Sequence, residues 1–250
     1  KKNEIAVSSE IKKILNLKQG QKVDVSLAES PESLDFIKKK LNKETLSKEE
    51  IEKIIKDIVS NSLSEAEIAL FVSSMYQYGM DMKETIFLIK AILKTGNVLK
   101  LNKKLVADKH SIGGVAGRTT PIIVAICSSA GLIMPKNSSR AITTPSGTAD
   151  AMETIAKVDF KISELKKIIH KTRGCIIWGG SLGMVPADNK IINVEKMLHL
   201  DPEAQLLASI MSKKLAAGSN YIVIHIPYGK SAKVNRKKAL KLKKKFYKLG

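Results

Sequence analysis

Two stretches of the chain concentrate groups that hold an oxyanion. The first reads Asp108-Lys109-His110-Ser111-Ile112-Gly113-Gly114-Val115-Ala116-Gly117-Arg118-Thr119-Thr120 and precedes a predicted helix. It offers an ammonium, hydroxyls and closely approachable glycine N–H groups, which a phosphate uses at a helix start. The second, Ser138-Ser139-Arg140-Ala141-Ile142-Thr143-Thr144-Pro145-Ser146-Gly147-Thr148, carries six hydroxyls and one guanidinium in eleven residues, again ahead of a helix. Arg140 is the strongest single charge candidate, because only a guanidinium fork contacts a phosphate bidentately. A structural salt bridge is the competing role. Neither stretch has the spacing of a nucleotide P-loop or of the dinucleotide fingerprint, and ordinary strand-to-helix turns also use glycine. The repetition of hydroxyl-rich loops after two consecutive strands is what points to two anion pockets.

Other titratable residues offer less. His110 sits between two residues of the first loop, where substrate contact and loop packing both stay open. His170 on a predicted helix, His199 near a loop and His225 between isoleucines read as structural or surface residues. Asp150 and Glu153 share a helix face at i, i+3, suited to capping and to the helix dipole. No His, Cys and carboxylate cluster has metal-ligand spacing, so neither metal nor cofactor is expected. Cys127 and Cys175 lie in apolar runs and read as buried thiols in a reducing cytoplasm.

These loops need a scaffold, and the hydrophobic pattern supplies one. Residues 5–27 hold a short helix pattern at Ser9–Leu17 and an alternating stretch from Lys22 to Leu27, the trailing edge of a small β-containing domain. Helices follow. Ser30-Pro31 opens one that runs to about Leu41, and Ser47 with Glu50, Ser64 with Glu67 and Asp81 with Glu84 have the capping-box spacing. From there strands and helices alternate: strand candidates at 105–107, 132–134, 175–178 and a buried one at 221–226, with helices at 119–130, from 148, 163–172 and 203–217. The expected fold class is α/β, a mixed or parallel sheet with helices on its faces plus an all-helical domain, the active site in the cleft between them. The expected domains are 1–29, then 30–97 with 187–218 (helical), then 98–186 with 219–250 (α/β). Both ends read as cut from a longer protein.

Composition narrows the partners. The 250 residues carry a net charge of +19, yet ten basic residues and no acid fall between Lys230 and Gly250. Only four of the 43 basic residues are Arg and only 4% of the chain is aromatic. Readers of DNA bases lean on Arg forks and readers of RNA on aromatic stacking, so nucleic acid is not the expected partner. The basic tail reads as the lysine face of an amphipathic helix, with Ala239, Leu240, Leu242, Phe246 and Leu249 inward; anion or nucleic-acid binding is the alternative. No apolar run approaches the ~20 residues of a membrane span.

The residues also match a known pattern. Lys109-His110-Ser111-x-Gly113-Gly114-Val115, Ser139-Arg140-Ala141 and Gly147-Thr148-x-Asp150-x-x-Glu153 resemble the nucleoside phosphorylase family that includes thymidine and pyrimidine-nucleoside phosphorylases. Pro186-Ala187-Asp188, Ser209-x-x-x-Lys213-Lys214-Leu215-Ala216 and Gly229-Lys230-Ser231-Ala232-Lys233-Val234 fit too, so the likeness covers essentially the whole chain. The string Ser138 to Thr143 and the extra amino-terminal segment are similar to the family's archaeal AMP phosphorylase branch. That branch turns AMP and phosphate into adenine and ribose 1,5-bisphosphate and accepts other nucleoside monophosphates. Two departures from the pyrimidine members agree with it. Glu195 falls at or near the place of a base-reading Arg and cannot donate a fork to a pyrimidine carbonyl, and Ser146-Gly147-Thr148 replaces Gly-Gly-Thr.

The resemblance implies roles. Lys109, Ser111, Gly113 and Gly114, with the Thr119-Thr120 turn, would hold the attacking phosphate. Ser139, Arg140, Ala141, Ile142, Thr143, Thr144 and Thr148 would contact phosphate and nucleotide. Ser209 and Lys213 fall at base-side positions, and Lys233 would add a nucleotide contact. Asp201 would protonate the departing base. By its own spacing, Leu200-Asp201-Pro202-Glu203 is an ordinary helix opening with Asp as N-cap, so both roles stand. The resemblance further implies inorganic phosphate as co-substrate, no cofactor, a homodimer or larger homo-oligomer, and an assembly domain beyond Gly250. A pyrimidine-nucleoside phosphorylase is the alternative enzyme, and a basic nucleic-acid-binding module the alternative of another class.

Overall fold

The computed structural model describes residues 4–27, 29–101, 104–113, 119–138, 140, 146–180 and 182–250. The chain divides into two compact units, Lys1–Ser30 and Pro31–Gly250. In the first, α1 (Ser9–Ile14) is capped by the Ser8 hydroxyl, which accepts from the Ile11 N–H, and it buries no residue. The alternating residues 22–27 form no ladder among the described residues, and Val23, Val25 and Leu27 are exposed. A strand needs a partner for its backbone groups, and alternation alone does not supply one.

The second unit begins with α2 (Ser33–Leu41), α3 (Lys48–Val59), α4 (Glu65–Tyr78) and α5 (Met82–Lys94). All three expected capping boxes form: each Ser or Asp accepts from the backbone of its Glu, and each Glu accepts from the cap's N–H. Ile37, Leu46, Ile51, Ile54, Ile55, Ile58, Phe71 and Leu88 make the core between these helices. Two later helices return to this layer. α9 (Pro186–Leu198) packs on α3, α4 and α5, and α10 (Glu203–Ala216) lies along α4 and α5.

Between and after these elements come β1 (Ala107–Ser111), α6 (Thr120–Ser129), β2 (Met134–Ser138), α7 (Thr148–Glu153), α8 (Ile162–Thr172), β3 (Gly174–Trp178), β4 (Tyr221–His225) and α11 (Arg236–Leu249). β1 pairs with β4 in parallel, Ala107 opposite Tyr221, and β2 with β3 in parallel, Met134 opposite Gly174. A parallel bridge between Val106 and Ile133 joins the two pairs. β1 and β2 begin later than their apolar runs suggest. β1 takes in Asp108, Lys109, His110 and Ser111, expected as loop, and β2 takes in Lys136, Asn137 and Ser138. Every residue of β2 is buried, so its polar groups need partners within the protein.

Two surface expectations also change. β4 alternates between half-buried and exposed residues, with Tyr221 and Val223 more than half exposed, because this strand pairs on one side only. On α11, Ala239, Leu242 and Phe246 are buried as expected, but Leu240 is exposed. The bundle and sheet are stitched together at 97–99. Asn97 N–H donates to the Gly183 carbonyl and Leu99 N–H to that of Ala216 at 2.7 Å. Gly218, at φ +78°, passes so close that a Cβ there would lie 2.4 Å from the Leu99 oxygen. Among the described residues no helix is long and apolar enough to cross a membrane.

Candidate functional site

β1 and β2 carry a buried charge cluster between them and α10. Asp108 Oδ2 accepts from Lys214 Nζ on α10 at 2.8 Å, and Lys214 also donates to the Asn137 carbonyl at 2.9 Å. Lys136 Nζ donates to that carbonyl at 2.6 Å and lies 3.7 Å from Asp108 Oδ1. The side chains of Asp108, Lys136 and Lys214 are all buried, so two ammoniums face one carboxylate. Burial pushes Lys214 down to about 7; Asp108 pulls the other way, and Lys136 adds to the fall. Burial likewise lowers Lys109 against the pull of Asp108, and holds His110 neutral with help from Lys214, Lys136, Lys213 and Lys109. His110 Nδ1 is buried without a hydrogen-bond partner. A region with excess positive charge under low-dielectric walls attracts anions strongly.

The expected phosphate residues that lie within the described chain are on β1, just after it and at the start of α6. Lys109 and Ser111 are on β1, and the Ser111 hydroxyl is buried with no hydrogen-bond partner. Gly113 follows at φ +94°, a left-handed conformation that favours glycine. Thr120 is the first residue of α6 and is buried. Gly114, Ser139, Ala141, Ile142, Thr143 and Thr144 lie outside the described residues.

Arg140 belongs to a separate group. Its Nη1 donates to Asp150 Oδ1 at 3.0 Å and, with Nη2, forms a two-pronged contact with Glu153 at 2.5 and 2.9 Å. The guanidinium also lies 4.5 Å from the centre of the Trp178 ring at the end of β3. Glu153 and Asp150 raise the Arg140 pKa, and Glu153 is lowered in turn, chiefly by its bond to Arg140. Asp150 Oδ2 additionally accepts from Gly147 N–H at 2.9 Å, so it caps α7 as its spacing suggested. Thr148 opens that short helix. In this structure Arg140 is thus engaged by the salt bridge that stood as its competing role.

A third group lies along the α9–α10 contact. Lys213 Nζ donates to the Ser209 hydroxyl at 2.7 Å and pairs with Asp188 at 2.5 Å, and Gln205 Nε2 donates to the other Asp188 oxygen at 3.0 Å. Ser209 and Lys213, both named from sequence, therefore touch. Asp201 and Lys233 also meet, as an ion pair. The N-cap reading of Asp201 is corrected: α10 begins at Glu203 with Pro202 as N-cap and no side-chain cap bond. The Asp201 carboxylate serves Lys233 instead. Glu195 on α9 is buried in this group, and one carboxyl oxygen has no hydrogen-bond partner. Burial pushes its pKa up to about 8, helped by Asp188 and Asp201 and opposed by Lys213 and Lys233.

Lys136 and Trp178 have no expected role in the sequence, and Asp108, Asp188 and Lys214 stand there only as members of longer motifs. The available signal was charge inside buried runs, such as Lys136 in Met134-Pro135-Lys136-Asn137-Ser138. A mostly apolar cavity of about 500 Å³, lined by Pro121, Val124, Met152, Phe160 and Cys175 among others, contains none of the candidate residues. Among the described residues no three of His, Cys, Asp and Glu gather as a metal would need.

Comparison with known proteins gives a consistent result. Residues 34–96 match the family described as glycosyl transferase family, helical bundle domain, and residues 103–239 match glycosyl transferase family, a/b domain. The AMP phosphorylase of Methanococcus vannielii is 46% identical over 251 residues, covering 100% of this chain and 50% of that protein. The AMP phosphorylases of Pyrococcus furiosus and Thermococcus kodakarensis are 46% and 45% identical with the same coverage. The chain spans about half the length of these curated relatives. Anthranilate phosphoribosyltransferase from Thermus thermophilus has a similar fold, with a TM-score of 0.66 at 17% identity over 77% of this chain and 58% of that one.

Proposed function

Because the chain belongs to the glycosyl transferase family whose helical bundle and a/b domains it matches, we propose that it takes part in the phosphorolysis of nucleoside 5′-monophosphates. The reaction is AMP and phosphate giving adenine and ribose 1,5-bisphosphate. The observation that carries this reading is the likeness, at about 46% over the whole chain, to proteins named AMP phosphorylase.

The chemistry sets the requirements. An N-glycosidic bond breaks through an oxocarbenium-like sugar, so the base must be protonated as it leaves and the anion must wait on the opposite face. General-acid help contributes ~10²–10⁴ in rate, and alignment of the nucleophile can contribute more. We assign the incoming phosphate to Lys109, Ser111, Gly113, Gly114 and Thr120. Two observations support this: the unpartnered Ser111 hydroxyl and the surplus of ammonium over carboxylate around Asp108 on the same strand. We assign the nucleotide to Ser139–Thr144, Thr148, Ser209, Lys213 and Lys233. Asp201 is the proton donor in this reading. An ion-paired carboxylate has no proton to give, so Lys233 must turn to the nucleotide and leave Asp201 free to carry one. No cofactor is needed.

Full-length protein should release adenine from AMP only when phosphate is present, and arsenate should replace phosphate as attacker. Preference for uridine or thymidine over AMP would turn the reading to the pyrimidine enzymes. Against those stands Glu195, which in either protonation state lacks the two-donor fork a pyrimidine carbonyl pair would take. Nucleic-acid binding has less support, since α11 buries Ala239, Leu242 and Phe246 and pairs Lys245 with Glu203. We further infer a homodimer or larger assembly, for which exposed Ile122, Ile126, Tyr221 and Val223 supply apolar surface. Light scattering on the full-length protein tests it. The two unpaired cysteines suit a reducing cytoplasm.

A further inference from the structure

Along the α9–α10 contact the charges do not balance. Asp188 has Lys213, and Asp201 has Lys233. Glu195, the third carboxyl, is in no ion pair among the described residues, although it is buried and one of its oxygens lacks any partner. Two helices, the turn between them and the segment after β4 surround it. Asp188 stands two turns before it on α9, Asp201 in the turn leading to α10, Lys213 on α10 and Lys233 beyond β4. These four are the charged groups that Glu195 faces.

We propose that Glu195 is a positioning residue that acts as a neutral acid: holding its own proton, it claims neither lysine, so Lys213 stays on Asp188 and Lys233 can pass from Asp201 to the nucleotide. Two ammoniums then neutralise two carboxylates, and the third acid adds no charge. When Glu195 ionises, a buried anion without a cation of its own competes for both lysines. A buried unpaired charge is too costly to persist, so the pairs rearrange around it. Lys233 is then held by Glu195 and cannot turn to the nucleotide, and Lys213 leaves Ser209. Burial, the largest contribution, raises the carboxyl enough for the neutral form to dominate at neutral pH, and the two neighbouring acids act in the same direction. The inference rests on the reading of Asp201, Ser209, Lys213 and Lys233 as parts of the nucleotide site. It adds a residue that touches none of the reacting atoms.

The experiment compares full-length wild type with Glu195→Gln, which keeps the shape and cannot ionise. The quantity to follow is kcat/KM for AMP, which reports titrations of the free enzyme. Titration of AMP and phosphate is common to both proteins and cancels. Between pH 7 and pH 9 the wild type should lose about tenfold more than the variant does. An equal loss in both proteins overturns the proposal. A second measurement is independent of turnover. Infrared difference spectra between pH 7 and pH 9.5 should show a protonated carboxyl band disappearing in the wild type, with no such change in E195Q. Absence of that band overturns the proposal. Failure of both proteins to release adenine would instead sink the reading of the reaction, and the infrared result alone would then decide where the proton sits.

Discussion

The β1–β2 cluster and the α9–α10 cluster are opposite solutions to one problem. In the sheet two buried ammoniums, Lys136 and Lys214, share one carboxylate, Asp108. Between the helices three carboxyls, Asp188, Glu195 and Asp201, share two ammoniums, Lys213 and Lys233. Each mismatch is relieved by a proton. The first cluster lowers Lys214 to about 7, and the second raises Glu195 to about 8. A surplus of buried positive charge can also be relieved by an incoming anion, which the α9–α10 cluster cannot use. In the proposed reaction the first cluster serves the incoming phosphate and the second the proton, which phosphorolysis needs on opposite sides of a sugar.

The largest way to break the comparison is on the acidic side. Asp201→Asn should lower kcat for AMP phosphorolysis by ~10²–10⁴ in the full-length protein. Initial rates with saturating phosphate measure it. On the basic side, Lys214→Met should cost about 3 kcal/mol of stability by urea denaturation at pH 6. It leaves Asp108 buried with only Lys136, at 3.7 Å, to answer it. Combining it with Asp108→Asn should recover part of the loss, since the two residues are in direct contact.

The sharper test is pH. Glu195 has a folded-state pKa above its unfolded value, so its stabilising contribution is complete below about pH 4.3 and is lost as pH rises through about 8. Glu195→Gln should therefore be more stable than wild type by up to about 5 kcal/mol at pH 8.5, while the two converge near pH 4. Lys214 slopes the other way. Its folded-state value is depressed, the unfolded chain binds more protons between about pH 7 and 10, and stability rises across that window. K214M should abolish that rise.

Smaller effects complete the series. Lys109→Ala should weaken binding of inorganic phosphate about tenfold, or ~1.4 kcal/mol, by calorimetry. Ser64→Ala, in a capping box remote from either mismatch, should cost ~1 kcal/mol, and the cost should not change between pH 6 and pH 9. A strong pH dependence there would mean that the pH effects at Glu195 and Lys214 are global and not local.

The legible parts of this fold are those whose signals are local. The boxes at Ser47, Ser64 and Asp81 need only residues three apart, and all three form. The strand ends were not legible for the opposite reason. Asp108-Lys109-His110-Ser111 reads as a polar loop because charges in a strand normally face water. What keeps Asp108 inside is Lys214, 106 residues away. Asp201 failed in the same manner: beside Pro202 it has the composition of an N-cap, yet a lysine from beyond β4 takes its carboxylate. Arg140 could be read only as a choice, and the acids that engage it here sit ten and thirteen residues on. Leu240 was misplaced because an amphipathic pattern on a lysine-rich helix leaves one apolar residue at the boundary of the buried stripe.

Lys213 and Lys214 are consecutive on α10, and neighbouring side chains on an α-helix point about 100° apart. One reaches across to Asp188 on α9, and the other reaches into the sheet to Asp108. A slip of one residue along α10 would carry each ammonium past its acid and strand both. These two lysines therefore work as a key and keyway that set the rotation of the helix. A single-residue insertion in α10 upstream of them should be tolerated far less well than its cost in helix propensity alone would suggest.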